Sequence, residues 1–322
     1  MTDATLIRKA ISAAQAWGTP DRAPRLVQQR ENTVFDVTLD DGRRIALRFH
    51  RAGYQDASRI ASELRWMESL ADAGFPCPWP QRTRSGALTD DCIGVTTSAV
   101  QWLNGTPICS GKEELDAGLM HDLGALLADL HLTSDAVAPT DLARPDWRAS
   151  AFCCGDAPIW GRFWENPTLS TDEVALLRAA RDAAKIRLAA LPVDHIGLIH
   201  ADVLQENVLA FDGLLYLIDF DDGGVGYRLY DLATALIQSC DSPNMPELAG
   251  SLMRGYADAG GPLPKTAFMD LPMFVMLRAL ASAGWVIGRV QPDDPRMRGY
   301  ADRACRLARE WLADQKRGST SG

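Results

Sequence analysis

The 322 residues contain no Cys-x-x-C pair, and the seven cysteines (Cys77, Cys92, Cys109, Cys153, Cys154, Cys240 and Cys305) are odd in number. That spacing and parity suggest neither a structural zinc site nor a secreted disulfide framework. The vicinal pair Cys153-Cys154 reads as part of a packed segment. No uninterrupted apolar stretch approaches the ~20 residues of a membrane span, and the first residues lack a charged-then-apolar leader pattern. The expectation is therefore a cytoplasmic chain with no membrane partner. Internal repeats and low-complexity blocks are also missing. An excess of basic charge is missing too: residues 1–103 carry 13 Lys and Arg against 12 Asp and Glu, and the remainder carries 20 against 30. An acidic second half disfavours a nucleic-acid backbone and suits a metal or a cationic ligand.

What is present is an ordinary globular composition, 47% hydrophobic and 23% charged, on a chain long enough to bury a sizeable core. Leu6, Ile7, Ala10, Ile11, Ala14 and Trp17 recur at helical spacing, and Pro20 and Pro24 follow. Residues 33–39 and 44–49 flank Asp40-Asp41-Gly42 as two antiparallel strands. Residues 57–73 read as a helix, with Ile60, Leu64, Met67 and Leu70 on one face. Residues 92–103 read as a further strand before the Asn104-Gly105 turn. Helices then dominate: one carries Leu123, Leu126, Leu127 and Leu130, the next opens on the capping box Ser170-Thr-Asp-Glu173, and four more follow near 230–239, 247–259, 268–290 and 301–315. The order is strand-rich first and helix-rich second. It predicts an α+β chain of two unequal lobes, 1–103 and 104–315, with a hinge near 99–105 and a polar, disordered tail over 316–322.

The chemistry gathers between His200 and Asp222, in H-A-D-V-L-Q-E-N, V-L-A-F-D-G-L-L-Y-L-I and D-F-D-D. Asp212-Gly213 suits a two-residue hairpin turn with positive φ at both positions. With that loop, Phe211 faces Leu214 and, counting outward, Asn207 faces Ile218. Asn207 and Asp219 then meet at the open end, beside the loop carrying Asp202. A carboxylate next to a carboxamide offers the hard oxygens that Mg²⁺ takes, so Asp202, Asn207 and Asp219 form a candidate metal-and-base site for phosphoryl transfer.

The motif H-x-D-x-x-x-x-N, a hairpin and I-D-F resembles the catalytic and metal loops of the protein-kinase-like fold. With D-F-D-D and the following Gly226-Tyr-Arg-Leu-Tyr-Asp231-Leu-Ala, it resembles the aminoglycoside phosphotransferase family, which includes choline kinases and type II homoserine kinases. The resemblance implies a bilobal fold with ATP or GTP between the lobes, and Mg²⁺. It implies Asp202 as the catalytic aspartate, Asn207 and Asp219 as metal ligands, and His200 as a loop-shaping residue. It also implies a phosphate clamp of Arg48, where kinases carry a strand lysine, with Glu63 on the following helix. Arginine binds phosphate bidentately and stays charged. No G-x-G-x-x-G loop is present; Arg30-Glu31-Asn32-Thr33 takes its place, so Asn32 and Thr33 are expected over the phosphates. Gln101 and Leu103, around the hinge at Trp102, are the expected base contacts. Asp231 reads as an N-cap or a buttress of the catalytic loop.

The acceptor side carries no signature. Asp221 and Asp222 either touch a substrate amine or cap the turn before Gly223-Gly224. Trp160 and Trp164 (near Trp147 and Phe163), with Trp285 and Arg289 one turn apart, form a candidate aromatic-acidic pocket for an amino alcohol, or else core. The expected activity is phosphorylation of a hydroxyl on a small molecule, first an amino acid or amino alcohol such as homoserine. An antibiotic phosphotransferase, a stress-response-type bacterial Ser/Thr protein kinase and a non-catalytic nucleotide-binding module are the alternatives. The lack of an A-P-E segment argues against the protein kinase.

Overall fold

The computed structural model describes residues 3–29, 32–51, 53, 55–108, 115–153 and 158–320; Arg30, Glu31, Cys109 and Cys154 lie outside them. The chain forms two compact units: Met1–Ser110 with Ala136–Arg144 and Val208–Asp221, and Gly111–Asp135 with Pro145–Asn207 and Asp222–Gly322. The hairpin expected within 104–315 groups with the first of these.

The first unit is built on a six-stranded antiparallel sheet. Its order is Arg25–Gln29, Thr33–Thr38, Arg44–Phe49, Thr97–Gln101 and Pro80–Gln81, with Thr89–Asp90 also pairing Thr97–Gln101. The alternation of a strand sends Ile45, Leu47 and Phe49 to one face. There they pack with Phe35, Val37 and the Leu6, Ala10 and Ala14 side of helix Asp3–Ala14. Arg44, Ala46 and Arg48 take the opposite face, where Arg48 meets Glu63 of helix Ala57–Asp72, which starts where Asp56 accepts the Arg59 N–H at 2.8 Å. The edge strand Arg25–Gln29 is mostly exposed and was not expected from its polar sequence. It forms by pairing with Thr33–Asp36, and Arg25 reaches Asp36 at 2.9 Å.

A second sheet of this unit holds the hairpin. Val208–Phe211 and Leu214–Leu217 pair in the expected register, Phe211 with Leu214 and Val208 with Leu217. The turn residues Asp212 and Gly213 have φ of 51° and 76°, as a mirror-image two-residue turn requires. Thr106–Pro107 adds on the other side of Val208–Phe211.

The helical unit carries Ala117–Val137, Thr171–Ala189, Leu229–Leu236, Met245–Asp258, Leu271–Trp285 and Pro295–Thr320. The last runs on through most of the segment expected as a tail. The capping box at Ser170 forms: Glu173 N–H donates to the Ser170 hydroxyl, and Ser170 N–H donates to the Glu173 carboxylate. Leu271–Trp285 is buried almost all round. Lys265–Trp285 is apolar and long enough to cross a membrane by composition alone, but 78% of that window is buried inside the protein, which marks a core helix.

A small three-stranded sheet in this unit was not legible in the sequence. Gly224–Tyr227 lies between Asp146–Trp147 and Ile196–Ile199. A Cβ at Gly224 would come within 2.2 Å of the Pro145 carbonyl, and one at Gly226 within 2.6 Å of the Trp147 Cβ. The glycines weaken strand propensity and permit this close approach. Trp147 is thereby fixed, and its indole N–H donates to the Asp222 carbonyl at 2.6 Å.

Candidate active site

In the first unit the expected clamp residues meet. Arg48 and Glu63 are both buried, and Arg48 Nη1 donates to Glu63 Oε1 at 2.7 Å. Burial works against the guanidinium's charge, but the carboxylates of Glu63, Asp219 and Asp221 outweigh it, and its pKa rises. Burial likewise favours a neutral Glu63; Arg48 and Arg144 reverse that and hold its carboxyl below the ordinary range. His50, two residues along the strand, is pushed down to about 4 by burial and by Arg48, so it is neutral at pH 7. The clamp is thus one permanent cation set among three carboxylates.

Asp219 and Asp221 enter this cluster because the chain between them is anchored. Phe220 is fully buried edge-on against Trp66, 5.3 Å between ring centroids, on the helix that carries Glu63. Arg144 donates to the Phe220 carbonyl at 2.9 Å. The aspartates on either side then lie near Arg48 Nη2, at 3.4 Å (Asp219) and 3.8 Å (Asp221). Asp219 has φ of 67°, a left-handed conformation that aspartate tolerates better than most residues. Its side chain is 43% exposed against 13% for Asp221. Asn32 donates to Asp221 at 2.9 Å, which places Asn32 in the same cluster. Thr33 opens its strand half-buried. Gln101 closes the Thr97–Gln101 strand with an exposed side chain, and Leu103 follows two residues later.

In the helical unit, Asp202 follows Ala201, whose φ is 66°. A buried network sets this turn. Asp231, fully buried, accepts the Ala201 N–H at 2.7 Å and the His200 N–H at 2.8 Å. It also meets His131 Nε2 at 3.1 Å, and His131 Nδ1 meets the Tyr256 hydroxyl at 2.8 Å. Asp231 is therefore the buttress of the loop, while Arg228 holds the N-cap position of the following helix. His200 is buried and accepts the Asp202 N–H at Nδ1, so it shapes the loop.

Asn207 donates from Nδ2 to the Asp202 carbonyl at 2.9 Å and to Asp202 Oδ2 at 3.0 Å. That fixes the amide with Oδ1 as its acceptor end.

Asp202 has one partner the sequence reading missed. Arg278 Nη2 lies 3.2 Å from Asp202 Oδ1, and its Nη1 donates to Ser282 Oγ at 2.8 Å. Arg278 and Ser282 interrupt the otherwise apolar Leu271–Trp285 helix, and a charge on a helix buried all round needs a partner. That was the available signal. Burial opposes the guanidinium's charge, but Tyr230, Asp202 and Asp222 raise its pKa.

The expected aromatics divide. Arg289 lies over Trp285 at 4.9 Å and over Trp160 at 5.3 Å. Trp160 touches Trp147 at 5.8 Å, and Trp147 stacks on Tyr230 at 5.7 Å. Trp164 belongs elsewhere: it is buried edge-on against Phe163 beneath Arg181. Among the described residues no cluster of three or more His, Cys, Asp or Glu side chains forms a ready-made metal cage.

Known proteins resemble this chain over most of its length. The sequence pattern of the phosphotransferase enzyme family matches residues 23–269. A homoserine kinase of Gluconobacter oxydans (strain 621H) is 32% identical over 245 residues, covering 70% of this chain and 69% of the relative. The microcompartment-associated aminopropanol kinase superposes with a TM-score of 0.83 at 28% identity, over 97% of this chain and 98% of that one. An amicoumacin kinase, solved with AMP-PNP, Ca²⁺ and Ami, superposes with a TM-score of 0.77 at 18% identity, over 96% and 94% of the two chains. The fold is protein-kinase-like and mixed α+β, and the chain belongs to the phosphotransferase enzyme family as a kinase acting on small molecules.

Proposed function

We propose that the enzyme transfers the terminal phosphoryl group of ATP or GTP to a hydroxyl of an amino acid or amino alcohol in the cytoplasm, with homoserine the first candidate. The observation that carries the reading is Asp202: a partly exposed carboxylate on a buttressed turn, oriented by Asn207 and Arg278. It accepts the hydrogen bond of the acceptor hydroxyl and takes its proton as the oxygen attacks the phosphoryl group. One P–O bond forms, the bond to the bridging oxygen breaks, and the nucleoside diphosphate leaves.

Asn207 would offer Oδ1 and Asp219 a carboxylate, both hard oxygen ligands of the kind Mg²⁺ takes. When bound, the ion neutralises phosphate charge. Arg48, kept charged and fixed by Glu63, binds phosphate oxygens, with Asn32 and Thr33 covering them and the backbone at Gln101 and Leu103 holding the base. The kinship with homoserine and aminopropanol kinases supports an amino acid or amino alcohol as acceptor. The solved amicoumacin kinase holds AMP-PNP and Ca²⁺, which supports the nucleotide and hard-cation part of the reading.

The test is Mg²⁺-dependent nucleotide turnover with homoserine, aminopropanol, choline and an aminoglycoside, in the wild type and Asp202→Asn. The wild type is expected to phosphorylate homoserine. The variant should lose about 10²–10⁴-fold in turnover while keeping nucleotide affinity. Nucleotide binding without any phosphorylated product would replace the kinase reading with a nucleotide-binding module.

A further inference from the structure

Arg278, Ser282, Trp285 and Arg289 recur at intervals of four, three and four residues, the spacing of one helical face. One end of the stripe lies against Asp202, and the other carries Trp285 and Arg289 beside Trp160. The stripe thus sets one guanidinium group, Arg278, next to the expected base and leaves Trp285 and Arg289 at its far end. An aromatic pocket for an isolated cation would not be arranged this way, because Arg289 already covers the faces of Trp160 and Trp285.

Arg278 differs from the structural arginines of the same unit. Arg187 grips Asp270 through two nitrogens at 2.6 and 2.8 Å, and Arg228 grips Asp135 with paired contacts of 2.6 and 2.7 Å. Arg278 meets Asp202 through a single nitrogen at 3.2 Å, spends a second on Ser282, and its buried Nε–H has no acceptor among the described residues. A fork that matches a carboxylate bidentately is here only half used, with 11% of the side chain open. The Tyr230 hydroxyl, buried beside it, also lacks an acceptor among the described residues. Asp222 is near enough to Arg278 and Tyr230 to raise the pKa of both, although burial is the larger influence on each.

We propose that Arg278 recognises a carboxylate on the acceptor, so that this site selects hydroxy amino acids over carboxylate-free amino alcohols. The inference rests on the reading of Asp202 as the base. A hydroxyl on Asp202 and a carboxylate on the Arg278 fork must lie within about 3–6 Å of each other, the span of two to four covalent bonds. That is the size of a small hydroxy amino acid. The arrangement also ties recognition to reactivity. While Arg278 faces Asp202 it lowers the basicity of that carboxylate; an acceptor carboxylate that takes over the guanidinium releases the base. A carboxylate-free amino alcohol leaves Arg278 on Asp202.

The test compares kcat/KM for homoserine and for its decarboxylated analogue 3-aminopropan-1-ol in the wild type, Arg278→Lys and Arg278→Met. The wild type is expected to prefer homoserine by about 100-fold, the scale set by truncating one partner of a desolvated charge pair. Arg278→Met should slow both acceptors and bring their ratio towards one, and Arg278→Lys should retain part of the preference. A wild-type ratio near one, or a Met variant that lowers both acceptors by the same factor, overturns the assignment and leaves Arg278 as a positioning residue for Asp202. Should the variants not fold, calorimetry on the wild type with the non-reactive pair L-2-aminobutyrate and 1-propylamine decides: carboxylate-dependent binding supports the inference, and equal or absent binding of both overturns it. Failure of the wild type to phosphorylate any acceptor would count against the kinase reading alone, and the same calorimetric pair would still judge Arg278.

Discussion

Glu63→Met is the sharpest perturbation of the proposed nucleotide clamp. Glu63 is fully buried; its Oε1 accepts from Arg48 at 2.7 Å, and its Oε2 has no hydrogen-bond partner among the described residues. Methionine fills a similar volume but leaves the buried guanidinium with carboxylates no nearer than 3.4 and 3.8 Å. Breaking a buried pair from one side costs about 3–5 kcal/mol, because the remaining charge is uncompensated. That is a large part of the ~5–15 kcal/mol that holds a domain folded. Arg48→Met should cost a similar amount by stranding the carboxylate. The double variant Arg48→Met with Glu63→Met removes both charges, and its cost should fall below the sum of the single costs by at least about 2 kcal/mol.

Urea unfolding of the four proteins at pH 7 measures this, and the pH series supplies a sign. The Glu63 carboxyl is depressed in the folded protein: burial opposes its charge, and Arg48 and Arg144 overcome that. A depressed folded value means the stabilisation is fully present above the unfolded value, about 4.3, and is lost as pH falls through the folded one. The gap between wild type and Glu63→Met should therefore narrow below about pH 4. Single costs under about 1 kcal/mol, or a double variant equal to their sum, would refute the account of the clamp as one coupled buried pair.

Asp219→Asn keeps a residue that tolerates the left-handed backbone but removes the carboxylate; nucleotide affinity should lose its Mg²⁺ dependence in a calorimetric titration, and an unchanged dependence would contradict the ligand role. Asp231→Asn replaces one of two acceptor oxygens facing the His200 and Ala201 N–H groups with a donor, so stability should fall by about 1–3 kcal/mol. Turnover should fall with it, because the Asp202 turn loses its buttress; unaltered turnover would show that the turn holds without Asp231. Ser170→Ala removes the cap of a helix remote in sequence from the catalytic loop and should cost about 1 kcal/mol in urea unfolding with kcat unchanged.

The readable parts of the chain were those whose physics is local. Asp212-Gly213 specifies its turn, the turn specifies the register, and the register followed from Phe211–Leu214 outward without further help. The capping box at Ser170 needed four residues, and Arg48 came from the resemblance of its strand to the one that carries a lysine in kinases. Expectations failed where partners are distant or where packing overrides propensity. Gly224–Tyr227 carries two glycines and shows no strand pattern, yet it is the central strand of a small sheet, where Trp147 and the Pro145 carbonyl leave no room for a Cβ. Arg25–Gln29 has no hydrophobic alternation and exists as an edge by pairing. Trp164 and Trp160 are four residues apart and looked equivalent, but the fold buries one against Phe163 and sets the other beside Trp147 and Arg289.

By itself the sequence determined the class of chemistry. One short segment between His200 and Asp222 holds an aspartate, an asparagine and a second aspartate around a hairpin whose register follows from turn and strand rules, and its resemblance to the kinase catalytic and metal loops names the chemistry. The tertiary structure decided what surrounds Asp202. Arg278 stands 76 residues away, Asp231 reaches back about 30 residues to brace the turn, and His131 arrives from 100 residues upstream of Asp231. Those contacts exist because burying a charge or a bare N–H demands a partner, whichever part of the chain supplies it. No local pattern records which part that is.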